Sequence, residues 1–397
     1  MGWFLNCAFF SIAAIALIVS RYEHPLAISL AFSFVSGIFV FKAIPTLGPY
    51  FIKAGFSGKD LNKKGKPLKP EAMGIVCSML GEYLSAILSL QSMVLLGAAD
   101  DLFDIRWRDK LFMPVFSAIP VLVVYYIDFN VTYVVVPTFL QPYFGNLIEI
   151  GWLYYLYMAA LSVFCPNSIN IIAGINGVEV GQSIIISLCI IINDLLYVFR
   201  LTGPSIDSHL FSLYFLLPFL GTSIPLLYYN WYPASVFVGD TYCCFSGMIF
   251  AIVGIIGHFS KTILLFFIPQ IFNFILSFPQ LFGIVECPRH RMPNLNLSTG
   301  LLEPSMVMFS KKPSLLCTII LKTFSKLGFV RLKVDPATKE IQGTTNLTVI
   351  NFLLVRLGPK REDKLTIIII GIQAVMGLIG LFIRHKMAKF IYLNDNY

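Results

Sequence analysis

Charged residues are scarce in this chain. Asp, Glu, Lys and Arg make up 13 % of its 397 residues, against roughly 25 % in an ordinary soluble domain, and that deficit excludes water as the main solvent. Paired cysteines are missing too. The eight cysteines show no Cys-x-x-Cys spacing, so neither a zinc site nor a disulfide framework is indicated. Cys189, Cys243, Cys244 and Cys317 fall in or beside apolar runs, where a thiol acts as a small hydrophobe. No segment reads GxxxxGK[ST], which excludes a P-loop. The absence of an internal repeat removes support for a two-fold transporter. No basic stripe with interleaved aromatics lies on a soluble segment, which sets nucleic acid aside.

What the chain does hold is apolar sequence: 57 % of positions are hydrophobic and the mean hydropathy is +0.79. Runs near the roughly 20 residues that a helix needs to cross a bilayer recur along most of its length. The expectation is an all-α polytopic membrane protein of nine or ten transmembrane helices, with a small mixed α/β cytosolic insert before the last helix. Residues 1–284 form the bundle on this reading, 285–364 the insert, and 365–397 the last span with its tail. Trp3 to Ser20 reads as an extra span or a signal sequence. The net charge of +8 is gathered in connecting segments, and Lys53 to Glu71 alone holds six lysines, which marks that loop as cytosolic. The insert is set apart by Pro288, Pro293, Pro304, Pro313 and Pro336, by its charges, and by short β-leaning pieces such as Phe329 to Val334.

Polar groups next to membrane helices are costly and therefore candidates for function. Four clusters qualify. Asp100 and Asp101 end an apolar run and are followed by Asp104, Arg106, Arg108 and Lys110; adjacent carboxylates suit a divalent cation or a proton, and a solvated helix end would look the same. In NSINIIAGINGVEVGQ, Asn167 and Asn170 share a helical face and Asn176-Gly177 opens a turn. Amide oxygens suit a hard cation or a uracil-like edge, although Asn-Gly also serves as a plain turn. In YYNWYPASVFVGDT, Asp240 stands just before an apolar run, placed to cap a helix, hold a metal, or both. In CPRHRMP, Arg289, His290 and Arg291 lie between Pro288 and Pro293; two guanidiniums suit a diphosphate, while stop-transfer charge would explain the arginines alone. Acids, amides and bases together fit a cytosol-facing site for Mg²⁺ and a nucleotide diphosphate.

The motifs KPEAMG, LLGAADDLFDIRWRDK, NSINIIAGINGVEVGQ, LLYYNWYPASVFVGDTYC, GHFSKTILLFFIPQIFNF and CPRHRMPNLN occur in that order. In this the chain resembles the polyprenyl-phosphate N-acetylhexosamine-1-phosphate transferases of glycosyltransferase 4 type, from about Pro25 to the C-terminus. CPRHR in a large insert points to their eukaryotic branch, which acts on UDP-GlcNAc and dolichyl phosphate. The resemblance implies a multi-pass enzyme of the endoplasmic-reticulum membrane, its site facing the cytosol. It implies transfer of GlcNAc-1-phosphate to dolichyl phosphate with release of UMP, the first lipid-linked step of protein N-glycosylation, with tunicamycin as inhibitor. Carried over residue by residue, it implies Asn170 and Asp240 as Mg²⁺ ligands, and Lys110 and Arg289 as neutralisers of phosphate oxygens. His290 and Arg291 would hold the GlcNAc, Glu71, Asn176 and Phe237 would form the uridine pocket, and Asp100 and Asp101 would lie near the dolichyl phosphate. It leaves room for a homodimer.

One interval departs from the family pattern. Members place two spans between the positions matching Glu71 and Asp100, and here only 28 residues intervene. A helical hairpin needs roughly 40 apolar residues to cross twice. The segment either crosses once or forms a re-entrant hairpin, and an inactive shortened form becomes an alternative to an active transferase. A nucleotide-sugar transporter, which would bind the same donor without a metal, is the alternative from another class.

Overall fold

The computed structural model describes residues 25–53, 57–59, 68–70, 88–103, 105, 107–128, 131–199, 205–388 and 392. The sequence-level expectations for Trp3 to Ser20, for Glu71 and for residues 73–87 therefore lie outside the described residues.

Helix α1 (Pro25–Lys53) leads to a short antiparallel pair, β1 (Ser57–Lys59) and β2 (Leu68–Pro70), in which Ser57 faces Pro70. Then come α2 (Leu88–Phe103), α3 (Trp107–Asp128), the antiparallel pair β3 (Tyr133–Val135) and β4 (Leu147–Glu149), α4 (Trp152–Ile171) and α5 (Val178–Val198). The bundle continues through α6 (Ser205–Asn230), α7 (Gly239–Ile256), α8 (Ser260–Phe266) and α9 (Ile268–Leu281). Among the described residues four helical stretches are long and apolar enough to cross a membrane: Val178–Val198, Ser208–Asn230, Gly239–Ile256 and Glu362–Met387. The pair α8 and α9, bent by 72°, makes a fifth if taken as one broken span. The chain is a polytopic helical membrane protein.

α7 is apolar on every side, the mark of a helix enclosed by others, and it buries every residue from Thr241 to Ile255. It packs against α2 and α4. Two glycines permit that closeness. A Cβ at Gly247 would sit 2.3 Å from the Pro166 backbone of α4, and one at Gly97 of α2 would sit 2.7 Å from Cα of Thr241. The second contact decides the site, because it presses the end of α2 onto the start of α7.

After α9 the chain forms the hairpin β5 (Asn294–Asn296) and β6 (Leu301–Glu303), followed by β7 (Met306–Met308), α10 (Leu315–Lys326), β8 (Leu332–Val334), β9 (Ile341–Thr345) and α11 (Val349–Leu357). The sheet order is β7-β9-β8, all antiparallel. Ser314 and Thr348 cap α10 and α11 by accepting the amides of Cys317 and Asn351. The last helix, α12 (Glu362–Phe382), starts three residues before the apolar run from Leu365 suggests. Glu362 and Asp363 in its first turn complement the helix dipole, and Glu362 also bonds across to the site.

Candidate active site

The site begins with a capping interaction between helices. Val238 at the N-cap of α7 has no side-chain oxygen to offer, so the orphan amides of the first turn need another acceptor. Asp101 supplies it from the end of α2. Its Oδ1 accepts the Asp240 amide at 2.7 Å, and its Oδ2 accepts the Thr241 amide at 3.0 Å and the Thr241 hydroxyl at 2.5 Å. The capping role that the sequence allowed Asp240 thus falls to Asp101, and Asp240, one position inside the helix, keeps both oxygens for other partners.

Those partners are Asn170 and Lys110. Asn170, in the last turn of α4, donates its Nδ2 to Asp240 Oδ1 at 2.5 Å, and Lys110 of α3 donates its Nζ to Asp240 Oδ2 at 2.5 Å. The same ammonium pairs with Asp100, whose other oxygen accepts the Ile105 amide at 3.1 Å. Charge-assisted bonds of this kind are about twice as strong as neutral ones. Exposure within the cluster is graded: the side chain of Asp100 is 6 % accessible, that of Lys110 20 % and that of Asp240 32 %. Asp240 is therefore the member an incoming ligand meets first. A crevice beside it is lined by Asp100, Lys110, Asn167 and Asn170, with Met93 and Met113 as apolar wall. Asn167 turns its amide inward to the Val163 carbonyl at 2.8 Å.

The Asn176-Gly177 turn between α4 and α5 is held from two elements, α12 and α6. The Asn176 amide donates to Glu362 Oε1 at 2.7 Å, the Gly177 amide to Asn230 Oδ1 at 3.0 Å, and Thr366 Oγ1 donates to the Asn176 carbonyl at 2.8 Å. Gly177 sits at φ +85°, where a Cβ would also press on the Trp231 ring at 3.1 Å; both facts require glycine. The backbone is thus fully occupied, while Asn176 Nδ2 is buried with no partner among the described residues. A buried donor left over in this way is costly unless a ligand takes it. Phe237, half-buried, donates its amide to the Pro70 carbonyl at 2.8 Å, tying β2 to the entrance of α7.

The CPRHR loop is positioned by α11 and by the α4–α5 connection. Asn351 Nδ2 donates to the Arg291 carbonyl at 2.9 Å, and Met292 lies so close to Gly174 that a Cβ there would be 3.1 Å from its Cγ. Arg289 and His290 are exposed and Arg291 is half-buried. Burial pulls the Arg291 guanidinium below its usual range, and its Nη1 is buried with no partner among the described residues, so an anion there would relieve it. Asp100, Asp101, Lys110, Asn170 and Asp240 thus meet at one point, while Asn176 with Phe237 and the Arg289–Arg291 loop belong to the flanking connections.

A family model described as glycosyl transferase family 4 matches residues 83–258. A Schizosaccharomyces pombe protein named UDP-N-acetylglucosamine–dolichyl-phosphate N-acetylglucosaminephosphotransferase is 48 % identical, covering 96 % of this chain and 97 % of that relative. The chain belongs to glycosyl transferase family 4. Relatives of the same name in Saccharomyces cerevisiae (43 % identical, 98 % of each chain covered) and Dictyostelium discoideum (40 % identical, 89 % of this chain and 88 % of the relative) extend the likeness. The S. pombe alignment runs over 431 positions, more than the 397 residues here, so that family 4 relative holds residues without a counterpart in this chain.

The candidate site has supports that its motifs do not announce. Gln182 of α5 donates to the Ile169 carbonyl at 3.0 Å, next to Asn170, and accepts from Gln270 of α9 at 2.8 Å. Gln270 also donates to Gln373 of α12 at 2.7 Å, and Gln373 donates to the Phe266 carbonyl at 2.8 Å, where α8 ends. Three buried amides therefore tie the bend of the broken span to the turn that carries Asn170. Gln182→Leu takes the side-chain donor from the Ile169 carbonyl and leaves Gln270 with Gln373 alone as acceptor. Loss of such an outer support costs about 10–100-fold where it orients a site, and the expected outcome is a fall of that size in turnover with a smaller change in KM, measured on detergent-purified protein.

Proposed function

We propose that the chain transfers GlcNAc-1-phosphate from UDP-GlcNAc to dolichyl phosphate, giving GlcNAc-PP-dolichol and UMP, in the endoplasmic-reticulum membrane with its site on the cytosolic face. The observation that carries this reading is the near full-length likeness to relatives of that name at 48 % and 43 % identity, and the Asp100–Lys110–Asp240–Asn170 cluster supports it chemically. A dolichyl-phosphate oxygen attacks the β-phosphorus of UDP-GlcNAc. The new P–O bond forms as the bond from the β-phosphorus to the bridging oxygen breaks, and UMP leaves with that oxygen.

A phosphate monoester is largely ionised near neutral pH, so the attack needs positioning and charge neutralisation more than a strong base. Lys110, already between two carboxylates, is the nearest cation for phosphate oxygens. Arg289 is the candidate for the diphosphate, His290 and Arg291 for the GlcNAc, and the Asn176 side-chain amide, unpartnered among the described residues, with Phe237 for the uridine. Asp101, with both oxygens engaged on α7, orients Asp240. Among the described residues no three of His, Cys, Asp and Glu gather to hold a metal by themselves. Mg²⁺ keeps several waters and takes few protein ligands together with substrate phosphates, and the Asp240 carboxylate with the Asn170 amide fits that donor set. Bound there, Mg²⁺ would supply Lewis-acid stabilisation of charge on the departing UMP.

The test is UMP release by purified protein, with UDP-GlcNAc, dolichyl phosphate and Mg²⁺ each supplied or withheld. Release that requires all three is expected. UDP-GlcNAc uptake into vesicles without UMP release would indicate a transporter, and a well-folded protein with neither activity would be an inactive shortened form.

A further inference from the structure

The insert carries a surface that the transfer reaction does not use. Helix α10 buries Cys317 and Leu321 in the insert's own core, with Val285, Val330 and Ile341, and leaves Leu315, Leu316 and Ile319 exposed at 78 %, 56 % and 54 %. That is too much apolar surface on one short helix to belong in water. Leu315, Ile319, Lys322 and Lys326 follow one another at helical spacing, so a single stripe runs from apolar at the N-terminal half to basic at the C-terminal half.

The stripe is continuous with the outer face of the broken span. Ile275 and Phe278 of α9 are exposed as well, at 61 % and 41 %. Between α9 and α10 runs an open groove of about 440 Å³, walled by Phe274, Ile275 and Phe278 on one side and by Ile319, Ile320 and Phe324 on the other. This falls within the roughly 300–1,000 Å³ of ordinary ligand sites. One wall is α9, the longer half of the apolar bent pair α8–α9, so the groove opens beside a segment apolar enough to lie in a bilayer.

We infer that α10 lies in the membrane interface and that the α9–α10 groove seats a glycerophospholipid of the surrounding leaflet, its acyl chain along the apolar wall and an anionic headgroup at Lys322 and Lys326. The apolar-to-basic order along the stripe sets the tilt: the Leu315 end enters the acyl region and the lysines extend to the headgroups, as amphipathic interfacial helices and snorkelling lysines do. Charge complementarity favours an anionic lipid, since a lysine near such a surface is worth a factor of about five in binding. The inference rests on the membrane-crossing of the bundle and is independent of the transfer reaction.

Full-length protein reconstituted in nanodiscs tests it, with Leu316→Trp as reporter and the unsubstituted chain as background. The added emission is expected to be quenched by lipids brominated on their acyl chains and spared by aqueous acrylamide. Native mass spectrometry of the unsubstituted protein, released from discs of mixed phosphatidylserine and phosphatidylcholine, is expected to show retained phosphatidylserine that falls by an order of magnitude or more in Lys322→Glu/Lys326→Glu. Ile320→Trp, which fills the groove, is expected to lose the retained lipid while keeping its thermal midpoint. Quenching by acrylamide and not by bromolipid would overturn the inference. So would retention of dolichyl phosphate in place of phospholipid, or shielding from both quenchers that grows with protein concentration, the sign of a second copy of the chain.

Discussion

Asp240→Ala is expected to abolish UMP release, by about 10³-fold or more, while the protein still folds. The reasoning starts from exposure: at 32 % accessible, Asp240 is the open member of the cluster, and water can replace its carboxylate without leaving a void. Lys110 keeps Asp100 as a partner, and Asp101 keeps the backbone amides of residues 240 and 241, which do not depend on the side chain removed. What disappears is the junction where Asn170 from α4 and Lys110 from α3 meet α7. Loss of a single preorganised electrostatic contact typically costs about 10²–10³ in kcat, and here one carboxylate holds two candidate site side chains at once. The measurement is single-turnover UMP release beside a thermal melt. Asp240→Asn restores the shape without the charge and is expected to remain nearly as slow. Recovery to within tenfold of the unsubstituted chain would mean that Asp240 only positions Asn170.

The sequence nominates candidate residues for this chemistry far better than it shows which of them touch. Asp100 and Asp101 stand out as a pair, yet neighbours on a helix point about 100° apart, and the structure uses that divergence: Asp100 turns to Lys110 and Asp101 to the start of α7. Nothing local announces that Asp101 acts on a helix 139 residues later. Asp240 beside Gly239 has the local pattern of a cap, and pattern alone cannot reveal that another helix already fills that role. The partnership of Glu362 with Asn176, 186 residues apart, is hidden for the same reason. Glu362 reads in the sequence as one more charge ahead of an apolar run, and only the packing of α12 beside α5 gives it a purpose. Hydropathy marks Thr262 to Phe282 as one span, whereas the chain bends between Phe266 and Ile268, where Gln373 of another element donates to the Phe266 carbonyl. Composition and periodicity report solvent and secondary structure; hydrogen bonds between distant elements are set by tertiary packing.

Lys110→Met is expected to damage both stability and turnover, and a second substitution should separate the two effects. Lys110 is the only cation bonded to Asp100 and Asp240 among the described residues. Asp100 is nearly closed to water at 6 % accessible, so removing the ammonium leaves a buried carboxylate without compensation. Breaking a buried pair in this one-sided way costs about 3–5 kcal/mol, enough to lower the thermal midpoint by many degrees or to prevent accumulation. Neutralising the stranded acid as well, in Lys110→Met/Asp100→Asn, removes the uncompensated charge and leaves an amide that can still accept from the Ile105 amide. The double variant is therefore expected to regain most of the lost melting temperature. It should not regain UMP release, because the cation proposed to meet the phosphate oxygens is absent from it. If stability and turnover return together, Lys110 serves only to neutralise Asp100. If stability returns and turnover stays at least 10²-fold down, the ammonium acts on the reacting phosphates, and the two carboxylates that grip it are what aim it there.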